Sequence, residues 1–222
     1  MFGPNGTFAE LNRLVSSPTH PSSETRSSLF SRLRANQDGA WRDFEDRYRE
    51  MMLRFCRRRG LQHFDAEDVV QRVMADLLKS LPQFVYDRQR GRFRDYLYRC
   101  VRNALSNWAQ QAARRPEQLR SGMVHALQED SRNGRPGRDD EVAWEEEWVA
   151  HHYRVAMDTI RKTFEPRSVE IFDRSVAGAT IPELAAVFTM TEEAVRKVRE
   201  RIRDRMEELI AEQVREEDEF DG

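Results

Sequence analysis

Cysteine is nearly absent from this chain: two residues in 222, Cys56 and Cys100, with no CxxC spacing. That excludes a disulfide scaffold and a cysteine zinc site, and both thiols read as small buried hydrophobes in helical patterns. Long apolar runs are missing too. No stretch approaches the roughly eighteen consecutive apolar residues of a membrane span. The first 25 residues lack the basic start and apolar run of a signal peptide, so a cytoplasmic protein with no membrane partner is expected. Nothing alternates with period two, so no strand is predicted. What is plentiful is charge: 34% of residues are charged against 39% hydrophobic, which favours small cores joined by solvated segments over one large core.

The net charge of −2 conceals an uneven distribution. Residues 32–120 hold 20 Lys/Arg against 12 Asp/Glu, whereas 129–147 hold 8 acids against 3 Arg, and 212–222 hold 6 acids against Arg215 alone. A basic block of that size suits a polyanionic partner, although long arginines also solvate helices without binding anything.

Apolar spacing predicts an all-α fold of two small helical domains joined by a flexible linker. Residues 1–25, rich in Ser, Thr, Pro and Gly, bury too little to offset the entropy of ordering and are expected to form a disordered arm. Trp41, Phe44, Tyr48, Met51, Met52 and Phe55 form one helical face that Gly60 can end. A second helix runs from near Asp65 through Val69, Val70, Val73 and Leu77 to Pro82, and a third from about Phe93 to Gln111. These make up a domain at 26–115. Residues 116–140 read as the linker, because Glu129 to Asp140 has almost no apolar content. A four-helix domain is expected at 141–211, with the acidic tail 212–222 fraying into solvent.

Within that second domain, Pro182 to Phe188, a three-residue turn and a longer basic helix have the dimensions of a helix-turn-helix. Thr191 suits the N-cap, and Glu192 and Glu193 sit where the helix dipole favours acids. Val195, Val198, Ile202, Met206 and Leu209 share one stripe, while Glu193, Arg196, Lys197 and Glu200 begin the opposite face, the position from which a second helix reads a major groove. A solvated helical hairpin accounts for the same pattern. No metal is expected. Asp65, Glu67 and Asp68 lack a second carboxylate cluster or a suitably spaced histidine, and adjacent His151 and His152 face different ways. Trp144 and Trp148, four apart, read as core anchors.

Three segments carry a resemblance. Asp65-Ala-Glu-Asp-Val-Val-Gln-Arg-Val-Met74 resembles the second conserved region of extracytoplasmic-function sigma factors. Phe93-Arg-Asp-Tyr-Leu-Tyr-Arg-Cys-Val-Arg-Asn103 resembles that family's next segment, and Thr180 to Val195 its fourth region. The three occur in the family's order. Arg72, Met74, Tyr96 and Cys100 depart from the usual residues yet keep helix and core. Thr189 replaces a usual turn glycine, and a β-branched residue there predicts a turn of different shape.

The resemblance implies a non-enzymatic alternative sigma factor without cofactors, which binds core RNA polymerase and directs it to promoters. It places Asp65, Glu67, Asp68 and Gln71 against the polymerase. It places Arg88, Arg90, Arg92, Arg94, Tyr96, Arg99 and Asn103 at the minus-ten DNA, where an aromatic ring, cations and an amide suit an unwound strand. It places Thr191, Glu193, Arg196, Lys197, Arg199, Glu200 and Arg203 at the minus-thirty-five DNA, with an anti-sigma factor as a further candidate partner. Two other readings stay open: a helix-turn-helix regulator that never joins polymerase, and a protein-interaction module whose acidic faces bind a basic partner.

Overall fold

A computed structural model describes residues 29–35, 37–80, 92–112 and 138–218, and among these every regular element is a helix. In chain order they are α1 (Leu29–Arg34), α2 (Ala40–Arg58), α3 (His63–Ser80), α4 (Phe93–Ala112), α5 (Arg138–Thr163), α6 (Pro166–Val176), α7 (Ile181–Phe188) and α8 (Glu192–Asp218). The all-α expectation is met. The arm at 1–25, and the expected linker up to residue 137, lie outside the described residues, while residues 138–140 form the first turn of α5.

The described residues divide into two compact units, one of the residues up to 148 together with 216–218, the other of 149–215. In the first, α2 packs on α1 and α3, and α3 on α4. The apolar face read from the sequence is the face that is buried: Phe44, Tyr48, Met51, Met52 and Phe55 all lie inside. Aromatic rings dominate this core. Phe93 meets Tyr48 edge-on at 5.4 Å, and Trp148 stacks on Tyr48 at 6.0 Å. Trp144 meets Phe55 edge-on at 5.1 Å, so both tryptophans anchor the core as their four-residue spacing predicts. Burial pushes the Cys56 thiol up to about 12, as fits a buried hydrophobe rather than a reactive thiol.

One expectation fails here. The acidic tail does not fray after Glu212. Instead α8 continues to Asp218, with Gln213, Val214 and Glu217 buried. The reason is pairing that composition cannot reveal: Tyr48 Oη donates to Glu217 Oε1 at 2.7 Å, and Arg47 holds Glu216 at 2.5 Å. A buried carboxylate is tolerated when charge and hydrogen bond meet it.

The second unit is built differently. Ile171, Leu184 and Val195 form a small aliphatic cluster joining α6, α7 and α8, rimmed by Ile181, Ala185, Phe188, Met190 and Val198. Local bonds do much of the rest. Thr180 and Glu183 form a reciprocal capping box at the start of α7, and the hydrogen bonds from Thr180 hold the Glu183 carboxyl below its usual range. Thr191 Oγ1 accepts from the Ala194 amide at 3.2 Å, the cap expected of it.

Candidate functional site

The helix α3 starts at His63, two residues before the expected boundary, which puts Asp65 inside its first turn. Its buried stripe, Ala66, Val69, Val70, Val73 and Leu77, turns the opposite edge outward. On that edge Asp68 and Gln71 are exposed and Asp65 is half-buried. Glu67 is not a free acid: it pairs with Arg49 of α2 and lies 3.9 Å from His63 Nε2. It therefore ties α3 to α2 as well as contributing charge. Phe64, beside these acids, is 82% exposed, the most exposed large apolar residue described. Sequence reading passed over it, since an aromatic residue is buried by default and only its exposure marks it as a surface group.

On α4, the buried stripe of Phe93, Leu97, Val101, Ala104 and Leu105 leaves Arg99 and Asn103 exposed on one flank. Tyr96 lies on the same flank, half-buried, its hydroxyl sharing a hydrogen bond with Ser80 Oγ at 2.9 Å. Arg92 and Arg94 are described; Arg88 and Arg90 lie outside the described residues. Arg92 donates its amide to Asp95 Oδ2 at 3.0 Å, fixing the start of the helix. Arg94 pairs with Glu145 of α5.

Residues 45–115, which hold most of α2 and all of α3 and α4, match the family model described as Sigma-70 region 2. This segment belongs to the sigma-70 family. No curated protein matches the chain. Region 2 is a part of transcription initiation factors, which work on RNA polymerase and promoter DNA rather than catalysing a reaction. Asp65, Glu67, Asp68, Gln71, Arg92, Arg94, Tyr96, Arg99 and Asn103 all fall inside the region 2 match. No helix among the described residues is long and apolar enough to cross a membrane.

Beyond the match, α7 and α8 place the remaining candidates. Thr191, Glu193, Arg196, Lys197 and Glu200 are exposed on the leading turns of α8, and Arg199 and Arg203 are half-buried. Burial, reinforced by the charge of Arg203, lowers the Arg199 guanidinium from its ordinary value. Two of these cations are paired within the helix: Arg196 with Glu192 at 2.7 Å and Lys197 with Glu193 at 2.9 Å. Exposed pairs of that kind are weak and give way readily to a stronger anion.

The turn between α7 and α8 does not differ in the way Thr189 predicts. Thr189 takes the left-handed conformation at φ 49, the one non-glycine residue with positive φ among those described. Its amide donates to the Ala186 carbonyl and the Met190 amide to the Ala185 carbonyl. The same paired bonds close α2 at Gly60 and α6 at Gly178, where glycine supplies the positive φ. The turn shape survives, at the steric cost of holding a β-branched residue in the left-handed region.

Proposed function

We propose that the chain is an alternative sigma factor of the extracytoplasmic-function type, in which the exposed edge of α3 docks on core RNA polymerase. The observation that carries this reading is the juxtaposition of Phe64 with Asp68 and Gln71 on one outward edge inside the region 2 segment. An apolar anchor ringed by acids suits a basic helical partner: the acids speed encounter and set register, while the ring supplies desolvated contact. In this reading the α4 flank of Arg99, Asn103 and Tyr96 holds the opened minus-ten strand, the cation on phosphate and the amide on a base edge. The pair α7 and α8 acts as a helix-turn-helix on the minus-thirty-five element, its exposed cations exchanging their glutamate partners for phosphate.

Retention of the full chain on immobilised core polymerase tests the reading. Asp68→Lys with Phe64→Ala is expected to lower retention at least about tenfold while helical content stays near wild type, the scale of losing one apolar anchor and one charge pair. Unchanged retention assigns the α3 edge to solvent and shifts weight to a DNA-binding regulator that works without polymerase. Asn103→Ala then separates docking from melting: retention should hold while permanganate reactivity of the minus-ten thymines falls.

A further inference from the structure

A short hydrogen-bonded chain joins the last turn of α3 to the first turns of α4. Leu77 is among the last four residues of α3, whose carbonyls the helix itself leaves without a donor. Ser80 Oγ supplies one, donating to the Leu77 carbonyl over a long 3.4 Å. With its proton directed there, the same oxygen accepts from Tyr96 Oη at 2.9 Å. Burial holds the Tyr96 hydroxyl above its ordinary value, so at neutral pH it keeps the proton that this bond needs. Cys100, one turn further along α4, shares a hydrogen bond with the same hydroxyl. Ser80 and Tyr96 are both half-buried, so water competes less for their bond than for the exposed pairs of the surface.

We propose that Ser80 is a positioning residue for the α4 flank, holding the Tyr96 hydroxyl so that the ring meets an unpaired base of the opened strand with its face. The inference rests on the proposed contact of Tyr96 with the minus-ten strand and adds to it a residue from another helix. Tyr96 is fixed at both ends, by its backbone on α4 and by its hydroxyl on Ser80 of α3, and it shares its flank with exposed Arg99 and Asn103. A side chain restrained before binding loses less freedom when a base stacks on it. The single proton of the hydroxyl is spent inside the protein, which leaves the π-face as what the ring offers a base.

The same bond ties α3 to α4, and a tie alone would serve the fold. The two roles differ in what the loss of the bond reaches. A weakened tie disturbs every contact of the unit with DNA, paired or unpaired. A released ring disturbs only the contact with the unpaired base.

The test uses the full chain assembled with core polymerase on promoter DNA that carries a preformed minus-ten bubble, with 2-aminopurine replacing each unpaired base in turn. Stacking quenches this base, so a position held by Tyr96 is dim in the wild type and brightens in Tyr96→Ala. Ser80→Ala is expected to brighten the same position and to lower affinity for the bubble about threefold, the scale of one released side chain, while closed-complex affinity for duplex promoter in the cold stays near wild type. Ser80→Thr, which keeps the hydroxyl, should restore both. Tyr96→Phe removes the bond from its other end; it should match Ser80→Ala, and the double variant should add nothing to either single one. Should Ser80→Ala lose its cooperative melt, Tyr96→Phe carries the same test. A position that brightens in Tyr96→Ala but stays dim in Ser80→Ala and Tyr96→Phe overturns the positioning role alone. Equal losses on bubble and duplex overturn it as well, since they assign Ser80 to the fold. A chain that core polymerase does not retain, or bases that Tyr96→Ala leaves unchanged at every position, removes the α4 reading itself and the role of Ser80 with it.

Discussion

The two compact units solve the same problem, a helical core in a highly charged chain, by opposite means. The unit of the described residues up to 148 with 216–218 relies on aromatic rings and on partners distant in sequence: Arg94 and Glu145 are 51 residues apart, Arg58 and Glu146 are 88 apart, and Tyr48 and Glu217 are 169 apart. The unit of 149–215 buries mainly aliphatic side chains and leans on bonds that close within one turn, such as the Thr180–Glu183 box and the Arg196–Glu192 pair, beside one distant buried pair, His152 Nδ1 with Gln213 Oε1 at 2.8 Å. Distant pairing makes the first unit sensitive to loss of any one member. Local bonds let the second tolerate substitution with smaller, separable costs.

The largest break in that comparison is expected from Trp148→Ala. The ring is fully buried, stacks on Tyr48 and lies 6.2 Å from Phe93, so its removal leaves a cavity that rigid aromatic neighbours cannot fill. A loss of about 3–5 kcal/mol is expected in denaturant unfolding. Leu184→Ala, at the centre of the aliphatic cluster, should cost nearer about 2–3 kcal/mol, because the half-exposed rim around it can close in. Costs in the reverse order would show that the aromatic core is plastic and the aliphatic one rigid.

Alkaline pH sharpens the contrast without mutation. Burial raises the Cys56 thiol and the Tyr98 hydroxyl to about 12, and burial with the Glu217 charge holds Tyr48 well above its ordinary value. All three lie in the aromatic unit. Their protonated forms are favoured by folding, so the stabilisation is complete below the ordinary thiol value of 9.0 and is lost as pH rises toward about 12. Cys56 alone accounts for about 2 kcal/mol lost at pH 10.5. Denaturant unfolding at pH 8 and at pH 10.5 measures the loss, and Cys56→Ala should remove that share of the pH dependence. An unchanged slope in Cys56→Ala would mean that the thiol does not stay protonated in the folded chain.

Periodicity made the helices legible because a buried stripe at three- and four-residue spacing is a local property; Phe44, Tyr48, Met51 and Phe55 could be placed from it. Caps were legible for the same reason, as Thr191 shows. What stayed hidden depends on which segments meet. Glu217 looked like part of a solvated tail because its partner, Tyr48, is 169 residues away. Glu67 looked like a free docking acid because Arg49 lies on another helix. Phe64 was invisible for the opposite reason: burial is the default for an aromatic residue, and only its surroundings reveal that it is exposed.

The smallest effect, and the one that isolates a single local bond pattern, is expected at Thr189. Three helices close with the same pair of backbone bonds, α2 at Gly60, α6 at Gly178 and α7 at Thr189, and only the last places a β-branched residue at positive φ. A non-glycine residue in that region costs about 1–2 kcal/mol, while glycine costs about 0.5–1 kcal/mol more than alanine in ordering entropy. Thr189→Gly should therefore stabilise the chain by a net 0.5–1 kcal/mol, roughly, read as a rise in the denaturant midpoint at unchanged slope. Thr189 is exposed, so no packing is lost in the exchange. A fall in the midpoint would mean that the threonine contributes more than its strain costs, and would set this turn apart from the two glycine closures it otherwise matches.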